Sequence, residues 1–128
     1  MGMIVAAPTE GRRAAEQRGR LAETLAALWL GLKGYRVVAR RYKSPVGEID
    51  LIMKRGSVLA FVEVKSRNDA TSAAYAVTPQ GRQRIVRAAE SYIARHPEAL
   101  ALTLRFDLVL MVPGRLPQHL PDSFGADR

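Results

Sequence analysis

Three ionisable side chains lie within two apolar segments of the sequence. Asp50 interrupts the run from Glu48 to Met53, and Glu63 and Lys65 follow the apolar run that begins at Val58. Such segments are typical of β-strands, where a charged residue costs free energy unless it is paired or binds a metal. Because residues two apart in a strand point to the same side, Glu63 and Lys65 are expected on one face. These residues are the first candidates for chemistry.

A tight hairpin would bring the two carboxylates together. The turn signal Arg55-Gly56-Ser57 separates the two segments, so we expect antiparallel neighbours with Asp50 beside Glu63. Adjacent carboxylates repel, and Mg²⁺ or Mn²⁺ relieves this repulsion and takes oxygen ligands. A metal-bound water can act as the nucleophile, and Lys65 can orient it or hold a scissile phosphate. The spacing predicts a metal-dependent phosphodiesterase; the alternative is a buried ion pair of Lys65 with a carboxylate, without a catalytic role.

The charge balance favours a polyanionic partner. The net charge is +8 and the isoelectric point is about 10.6, which suits nucleic acid, although a solvated basic surface has the same composition. The absence of cysteine excludes disulfides and thiolate metal sites and fits a cytoplasmic location. No apolar run approaches the roughly 18 residues that a membrane span needs. Nucleic acid, in particular DNA, is therefore the expected partner, and a homodimer is compatible with the sequence.

Basic residues cluster in two parts of the chain. One group surrounds the first predicted strand and the other lies along the second predicted helix; a phosphate track and a solvated basic face are both compatible with them. The residues expected to contact nucleic acid are Arg40, Arg41, Lys43, Arg67, Arg82 and Arg84.

The elements expected to position these residues follow from periodicity and turn signals. Leucines recur at helical spacing from Leu21 to Leu32, and Gly34 ends this helix. Three strands follow at residues 35–42, 48–54 and 58–66, and a polar loop at 68–77. Thr78 and Pro79 open a second helix, and a last strand spans residues 103–112.

The order helix, three strands, helix, strand predicts an α/β sandwich with a small mixed sheet. Only the last strand can be parallel to an earlier one, with the second helix as the crossover. Residues 1–11 are expected to form a flexible arm and residues 12–128 a single domain. The proline-rich tail beyond Pro113 is expected to be irregular.

Other ionisable residues are expected to have structural roles. Glu23 lies off the leucine stripe of the first helix, which by itself predicts a solvated side chain. Asp107 and Arg105 share a face of the last strand, and we expect an ion pair there. His96 and His119 have no metal-ligand spacing with each other and are expected at the surface.

Two central motifs resemble a known family. The segments 47–52 (GEIDLI) and 61–67 (FVEVKSR) are similar to those of the YraN family of bacterial proteins. In order along the chain, the segments 19–23, 34–35, 105–107 and 119–124 also fit. The sequence departs from the family pattern at Ala22, Arg41 and Gly81.

The resemblance implies a fold and a chemistry. The YraN family looks like a branch of the PD-(D/E)XK nucleases, with a restriction-endonuclease-like three-layer fold similar to that of archaeal Holliday junction resolvases. It implies Mg²⁺ or Mn²⁺ bound by Asp50 and Glu63, with the carbonyl of Val64 as a further ligand. It also implies catalytic roles for Lys65 and for Glu23 on the first helix.

We therefore expect a nuclease that cleaves DNA, including branched or otherwise structured DNA. Two alternatives stay open. One is a catalytically silent nucleic-acid-binding module that keeps the nuclease fold, and the other is a protein-interaction domain with a basic surface.

Overall fold

The computed structural model describes residues 10–67 and 78–124. The predicted polar loop at 68–77 and residues 1–9 of the predicted arm therefore lie outside the described residues. Glu10 and Gly11 were also assigned to the arm, and this was wrong, because the first helix begins at Glu10.

The described chain contains two helices and five strands, joined in part by a short 3₁₀ turn at Pro97–Ala101. The predicted order of helix, three strands, helix and strand is confirmed. The expectation of an irregular tail was wrong, because the tail supplies a fifth strand. The elements are α1 (Glu10–Leu32), β1 (Arg36–Ser44), β2 (Gly47–Arg55), β3 (Val58–Ser66), α2 (Pro79–Arg95), β4 (Thr103–Met111) and β5 (Gln118–Phe124).

The five strands form one mixed sheet in the order β1-β2-β3-β4-β5. β3 and β4 are parallel and the other neighbours are antiparallel, as predicted from the crossover through α2. β5 is an edge strand, a position that tolerates Pro121, since a proline has no N–H to donate and an edge strand pairs on one side only. With one helix on each face, the molecule is the predicted three-layer α/β sandwich.

Helix α2 covers one face of the sheet. Thr78 caps its first turn by accepting a hydrogen bond from the amide of Gly81, and Pro79 occupies its first position. Its apolar stripe, which includes Ile85 and Tyr92, packs on Phe61 and neighbouring residues of the sheet. This packing fixes α2 against the β1–β2 hairpin.

The hairpin approaches α2 closely at Gly47. A Cβ built at this glycine would lie 2.5 Å from the backbone oxygen of Arg84, so no other residue fits without movement of the backbone. The start of β2, which leads to Asp50, is therefore held against the first half of α2.

Helix α1 covers the other face with small residues. Ala22, Ala26 and Leu30 are buried against the sheet. The leucine stripe, which helical periodicity favours as the inner face of α1, faces away from the sheet, and Leu21 and Leu28 are exposed. Alanines beneath the helix let it lie close to the sheet, and this turns the larger side chains outward. Gly34, at φ +91°, follows the end of α1 as predicted.

Within the described residues, no helix is long and apolar enough to span a lipid bilayer.

Candidate active site

The candidate site lies where β2 and β3 separate. Regular pairing of these strands begins at Leu51 and Val62, so Asp50 lies just outside the ladder. The Asp50 Oδ2 atom accepts a hydrogen bond from the backbone N–H of Val64 at 2.8 Å. This bond replaces a ladder contact and holds the carboxylate toward β3.

The environment of Asp50 disfavours its negative charge. Burial raises the pKa of the carboxyl, and the nearby charges of Glu63 and Glu23 raise it further. The Val64 amide and the Lys65 ammonium act in the opposite direction but do not compensate, and the pKa reaches about 8. A cation beside Asp50 would therefore be favoured electrostatically. Since the charge of Glu63 acts on Asp50, we predict that their carboxyl oxygens lie within about 5–6 Å, the scale of side chains opposed across antiparallel strands.

Glu63 and Lys65 form the ion pair that their spacing in β3 allows. The Lys65 Nζ atom lies 3.0 Å from Glu63 Oε1, and both side chains are mostly shielded from solvent. Lys65 thus partly neutralises Glu63. Among the described residues, Asp50 has no ion pair of its own, and the Lys65 charge acts on it only from a distance. The structural alternative allowed an ion pair of Lys65 with either carboxylate, and the structure has the pair with Glu63; among the described residues it has no direct Asp50–Lys65 pair.

Helix α1 brings a third carboxylate to the site. The Glu23 side chain is 12% exposed, and its Oε2 atom accepts a hydrogen bond from Arg41 Nε at 2.6 Å. Arg41 itself has φ +50°, a conformation that few residues other than glycine adopt. The expectation of a solvated Glu23, drawn from helix periodicity, was wrong because the face beneath α1 is not the leucine face. Glu23 lines the same cavity as the other two acids, and the catalytic role that the resemblance implies for it stays a prediction.

All the predicted catalytic and metal-binding residues line one cavity of about 400 Å³. The cavity lies between α1 and the ends of β2 and β3, and it is open to solvent. Its lining residues are Ala15, Arg18, Gly19, Ala22, Glu23, Asp50, Glu63, Val64, Lys65, Ser66 and Arg67.

A second cavity, of about 620 Å³, lies on the α2 side of the same strand end. Glu63 and Lys65 line both cavities, so the two spaces meet at these side chains. Lys43 and Arg84 give the second cavity a basic wall, with Glu48 as an acidic neighbour.

The residues predicted to contact nucleic acid fall into three groups. Arg67 lines the first cavity, and Lys43 and Arg84 line the second. Arg41 is bound to Glu23, so the structure makes it a partner of the acidic site. Arg40 and Arg82 do not line either of these two cavities; Arg40 donates instead to the hydroxyl of Thr24.

Several lining residues on α1 were not anticipated from the sequence. Arg18 and Gly19 lie on α1 one turn before Ala22 and Glu23. The helical spacing of Gly19 and Glu23, four residues apart, was the available signal. This spacing did not predict a lining position, because the leucine periodicity favours the opposite face of α1 as the inner one.

The donor set fits a hard divalent cation that keeps several waters. Asp50 and Glu63 supply carboxylate oxygens, and Val64 lines the same cavity. In residues 10–67 and 78–124, no group of three or more histidine, cysteine, aspartate or glutamate side chains is arranged as a ready metal site. A magnesium-like ion, bound through one or two carboxylates and its own waters, is compatible with that arrangement.

The predicted Arg105–Asp107 ion pair is confirmed, and it lies apart from the candidate site. Asp107 is fully buried and accepts from Arg105 Nε and Nη2 at 2.8 and 2.7 Å. The His119 Nε2 atom lies 2.7 Å from Asp107 Oδ2 with a side chain only 5% exposed, so the surface position expected for His119 was wrong. His96 is half-buried and stacks on Tyr92. The network of Asp107 with Arg105 and His119 joins β5 to β4 and has a structural role.

Comparison with known proteins identifies relatives over nearly the whole chain. The profile of a family described as "Uncharacterised protein family UPF0102" matches residues 22–111. A UPF0102 protein of Rhodopseudomonas palustris strain HaA2 is 53% identical over 119 residues, which cover 93% of each chain. A UPF0102 protein of Paramagnetospirillum magneticum is 49% identical over 129 residues, covering 98% of this chain and all of the relative. A third, from Parvibaculum lavamentivorans, is 54% identical over 111 residues, covering 87% and 84%.

Proposed function

This chain belongs to the UPF0102 family, also called the YraN family, and we propose that it is a metal-dependent nuclease that hydrolyses phosphodiester bonds in DNA. The names of its relatives state no activity, so the proposal depends on the site. We further propose that it acts in the cytoplasm. A chain without cysteine forms no disulfides, so its folding does not depend on an oxidising compartment.

The observation that carries the proposal is the unfavourable placement of Asp50. Its carboxyl is largely buried, its pKa is raised by burial and by Glu63, and it faces an open cavity that also holds Lys65. An ionised carboxylate in this arrangement destabilises the folded protein unless a proton or a cation neutralises it. Strongly shifted carboxyls in a cleft are enriched at functional sites.

The roles of the residues follow from their donors. Asp50 and Glu63 would hold Mg²⁺ or Mn²⁺ together with the carbonyl of Val64. A bound ion would supply a water of lowered pKa and would neutralise charge on the phosphate. Lys65, released from Glu63 when that carboxylate binds a cation, can orient the water or hold a phosphate oxygen. Glu23 adds negative charge on the opposite wall, where Arg41 keeps its carboxylate in place.

The two cavities suggest how a nucleic-acid backbone would cross the site. They meet at Glu63 and Lys65, and each has basic residues on its wall. Arg67 on one side and Lys43 and Arg84 on the other would contact phosphates flanking the scissile bond. Contacts to phosphates do not distinguish one base from another, so we propose a nuclease without strong sequence preference.

A cleavage assay tests the proposal directly. Purified full-length protein is incubated with plain duplex, single-stranded, flapped and branched DNA, each with Mg²⁺, Mn²⁺ or chelator. We expect cleavage of at least one substrate that requires metal and is reduced at least about 100-fold by Asp50→Asn, Glu63→Gln or Lys65→Ala.

Matched variants outside the site control for general effects of charge and folding. Glu90→Gln in α2 and Lys33→Ala directly after α1 change exposed residues and should leave the rate within about twofold. Binding of DNA with no cleavage of any substrate would support the alternative of a catalytically silent nucleic-acid-binding module. Cleavage that persists in all three site variants would assign the activity to another site or to a contaminant.

A further inference from the structure

The outward face of helix α1 is apolar in a protein whose surface is otherwise strongly basic. Leu21, Leu25, Leu28 and Leu32 are between 42% and 84% exposed, with Leu32 the most exposed. We call these four residues the leucine seam. Over the described residues, the seam contacts no element that buries it, and it extends over about 17 Å of helix.

The spacing of the seam is that of a helix that pairs with another helix. Successive leucines are separated by four, three and four residues, which is the alternation of the a and d positions of a heptad repeat. A helix that only packs on its own sheet has no need for this pattern on the side away from the sheet. Helix α1 already buries Ala22, Ala26 and Leu30 against that sheet.

We propose that the leucine seam is a homodimer interface, in which α1 packs antiparallel on α1 of a second copy. A seam that faces an identical seam about a two-fold axis is complementary to itself. With the axis between Leu25 and Leu28, Leu25 contacts Leu28 of the partner subunit and Leu21 contacts Leu32 of the partner subunit. This proposal does not depend on the nuclease activity.

The distribution of charge is compatible with a partner of the same net charge. Two copies that each carry +8 repel, and the repulsion is weakest where the contact surface itself is free of charge. From Leu21 to Leu32 the sole charged residue is Glu23, and its carboxylate is bound to Arg41 on the inner side. Cations lie at the edges of the seam and not within it: Arg40 donates to the hydroxyl of Thr24, and the Lys33 ammonium lies 5.6 Å from the centre of the Trp29 ring.

A groove beside the seam provides a place for the partner's terminal leucine. It has a volume of about 310 Å³ and lies between α1 and the loop that follows β4, with Leu21, Leu25, Met111 and Pro113 among its walls. In the antiparallel arrangement, Leu32 of the partner subunit lies against Leu21 and can enter this groove. Arg18 and Arg115 line the same groove, where they would face the negative end of the partner's helix dipole.

Sedimentation velocity of the full chain tests the proposal. We expect a concentration-dependent dimer of about 28 kDa, twice the chain mass of 14.1 kDa, with a dissociation constant in the micromolar range. Leu28→Glu places a charge in the interface twice, because of the symmetry, and should raise the dissociation constant at least about 100-fold. Leu116→Glu changes another exposed leucine, outside the seam, and should leave it unchanged.

Cross-linking tests the antiparallel geometry, since the chain has no cysteine of its own. The double variant Leu25→Cys/Leu28→Cys should form a covalent dimer on mild oxidation, whereas each single variant alone should cross-link poorly. Efficient cross-linking of the single variants would overturn the antiparallel arrangement. A wild type that is monomeric at all concentrations would overturn the proposal. If only a variant lacking residues 1–9 dimerised, the occupant of the seam in the full chain would be that segment and not a second copy.

Discussion

The Oδ2 atom of Asp50 accepts a hydrogen bond from the backbone N–H of Val64 at 2.8 Å. A side chain of β2 thus occupies an amide of β3 at the point where the two strands separate. The bond fixes the orientation of the carboxylate and leaves Oδ1 for a ligand. It also means that Asp50 has two separable roles, as a hydrogen-bond acceptor for β3 and as a charge in the cavity.

These two roles predict opposite effects for two substitutions at Asp50. Asp50→Asn keeps an acceptor for Val64 and removes the charge; because the pKa of Asp50 is raised, it should stabilise the metal-free protein at pH 8 by about 1 kcal/mol or more. Asp50→Ala also removes the acceptor and should lose about 1–3 kcal/mol relative to the asparagine variant. Urea unfolding in the presence of chelator measures both. Destabilisation of Asp50→Asn by about 3–5 kcal/mol would instead indicate a structural ion pair.

Divalent metal should stabilise the wild type and not Asp50→Asn. An ion that binds the folded state alone raises stability by about 2.7 kcal/mol at 100 times its dissociation constant, which is a rise of roughly 10 °C in Tm for a domain of this size. The measurement is thermal unfolding with Mg²⁺, Mn²⁺ or chelator. Glu90→Gln, on the exposed side of α2, should respond as the wild type does. An equal rise in Tm for wild type and Asp50→Asn would show that the metal binds elsewhere in the protein.

The fold could be predicted from the sequence to a large extent. Turn residues and apolar runs located β1 to β4, and the connection through α2 determined which pair is parallel. β5 was missed because Pro121 and its polar neighbours have no strand pattern of their own. Its place depends on contacts distant in sequence, in particular those of Asp107 with His119 and with the amide of Asp122.

The site was predictable where its residues lie on strands and not where it depends on α1. Asp50, Glu63 and Lys65 were identified as charges within apolar runs, and the structure brings them to one cavity. Periodicity alone placed Glu23 in solvent, because four leucines outweigh two alanines in any hydrophobic pattern. Which face of a helix meets a sheet depends on how closely the backbones approach, and the sequence pattern does not contain that distance.

Removal of Arg41 should affect the acidic site more than the fold. Arg41 pairs with Glu23 at 2.6 Å and is about one-third exposed, so their coupling in a double-mutant cycle should be about 1 kcal/mol. Arg41→Ala also removes a positive charge beside the carboxylates and should tighten Mn²⁺ binding several-fold. Isothermal titration of the variant measures this affinity, with Arg95→Ala, at the far end of α2, as the control. An unchanged affinity of Arg41→Ala for Mn²⁺ would show that the Glu23–Arg41 pair does not influence the metal site.

DNA affinity should depend on salt through the residues that line the second cavity. Each phosphate contact that is lost reduces the slope of log affinity against log salt concentration by about 1. Arg84→Gln should therefore lower the slope, while Arg95→Gln should not, because Arg95 lies away from both cavities. Fluorescence anisotropy with a labelled duplex between 50 and 300 mM salt, with chelator to prevent cleavage, provides the measurement. Equal slopes for both variants would remove the second cavity from the DNA path.

Acid should unfold the protein partly through Asp107. Burial by itself would raise the pKa of this carboxyl, but hydrogen bonds from His119, Arg105 and the amide of Asp122 outweigh it and lower the pKa to about 2. The folded-state pKa is therefore below the ordinary value of 3.8. The ionised form stabilises the fold at pH above about 4, by about 2 kcal/mol, and this contribution is lost as the pH falls from about 4 to 2.

Asp107→Asn isolates this contribution. The variant leaves the guanidinium of Arg105 without its counter-charge, so at pH 7 it should be less stable than the wild type by about 3 kcal/mol or more. The difference should shrink as the pH falls from 4 to 2, because the wild type loses the same interaction by protonation. Urea unfolding followed by circular dichroism at pH 7, 4, 3 and 2 measures the convergence, and Glu98→Gln, an exposed residue, should run parallel to the wild type throughout. A constant difference between wild type and Asp107→Asn across this range would show that Asp107 is not the carboxylate whose protonation weakens the fold in acid.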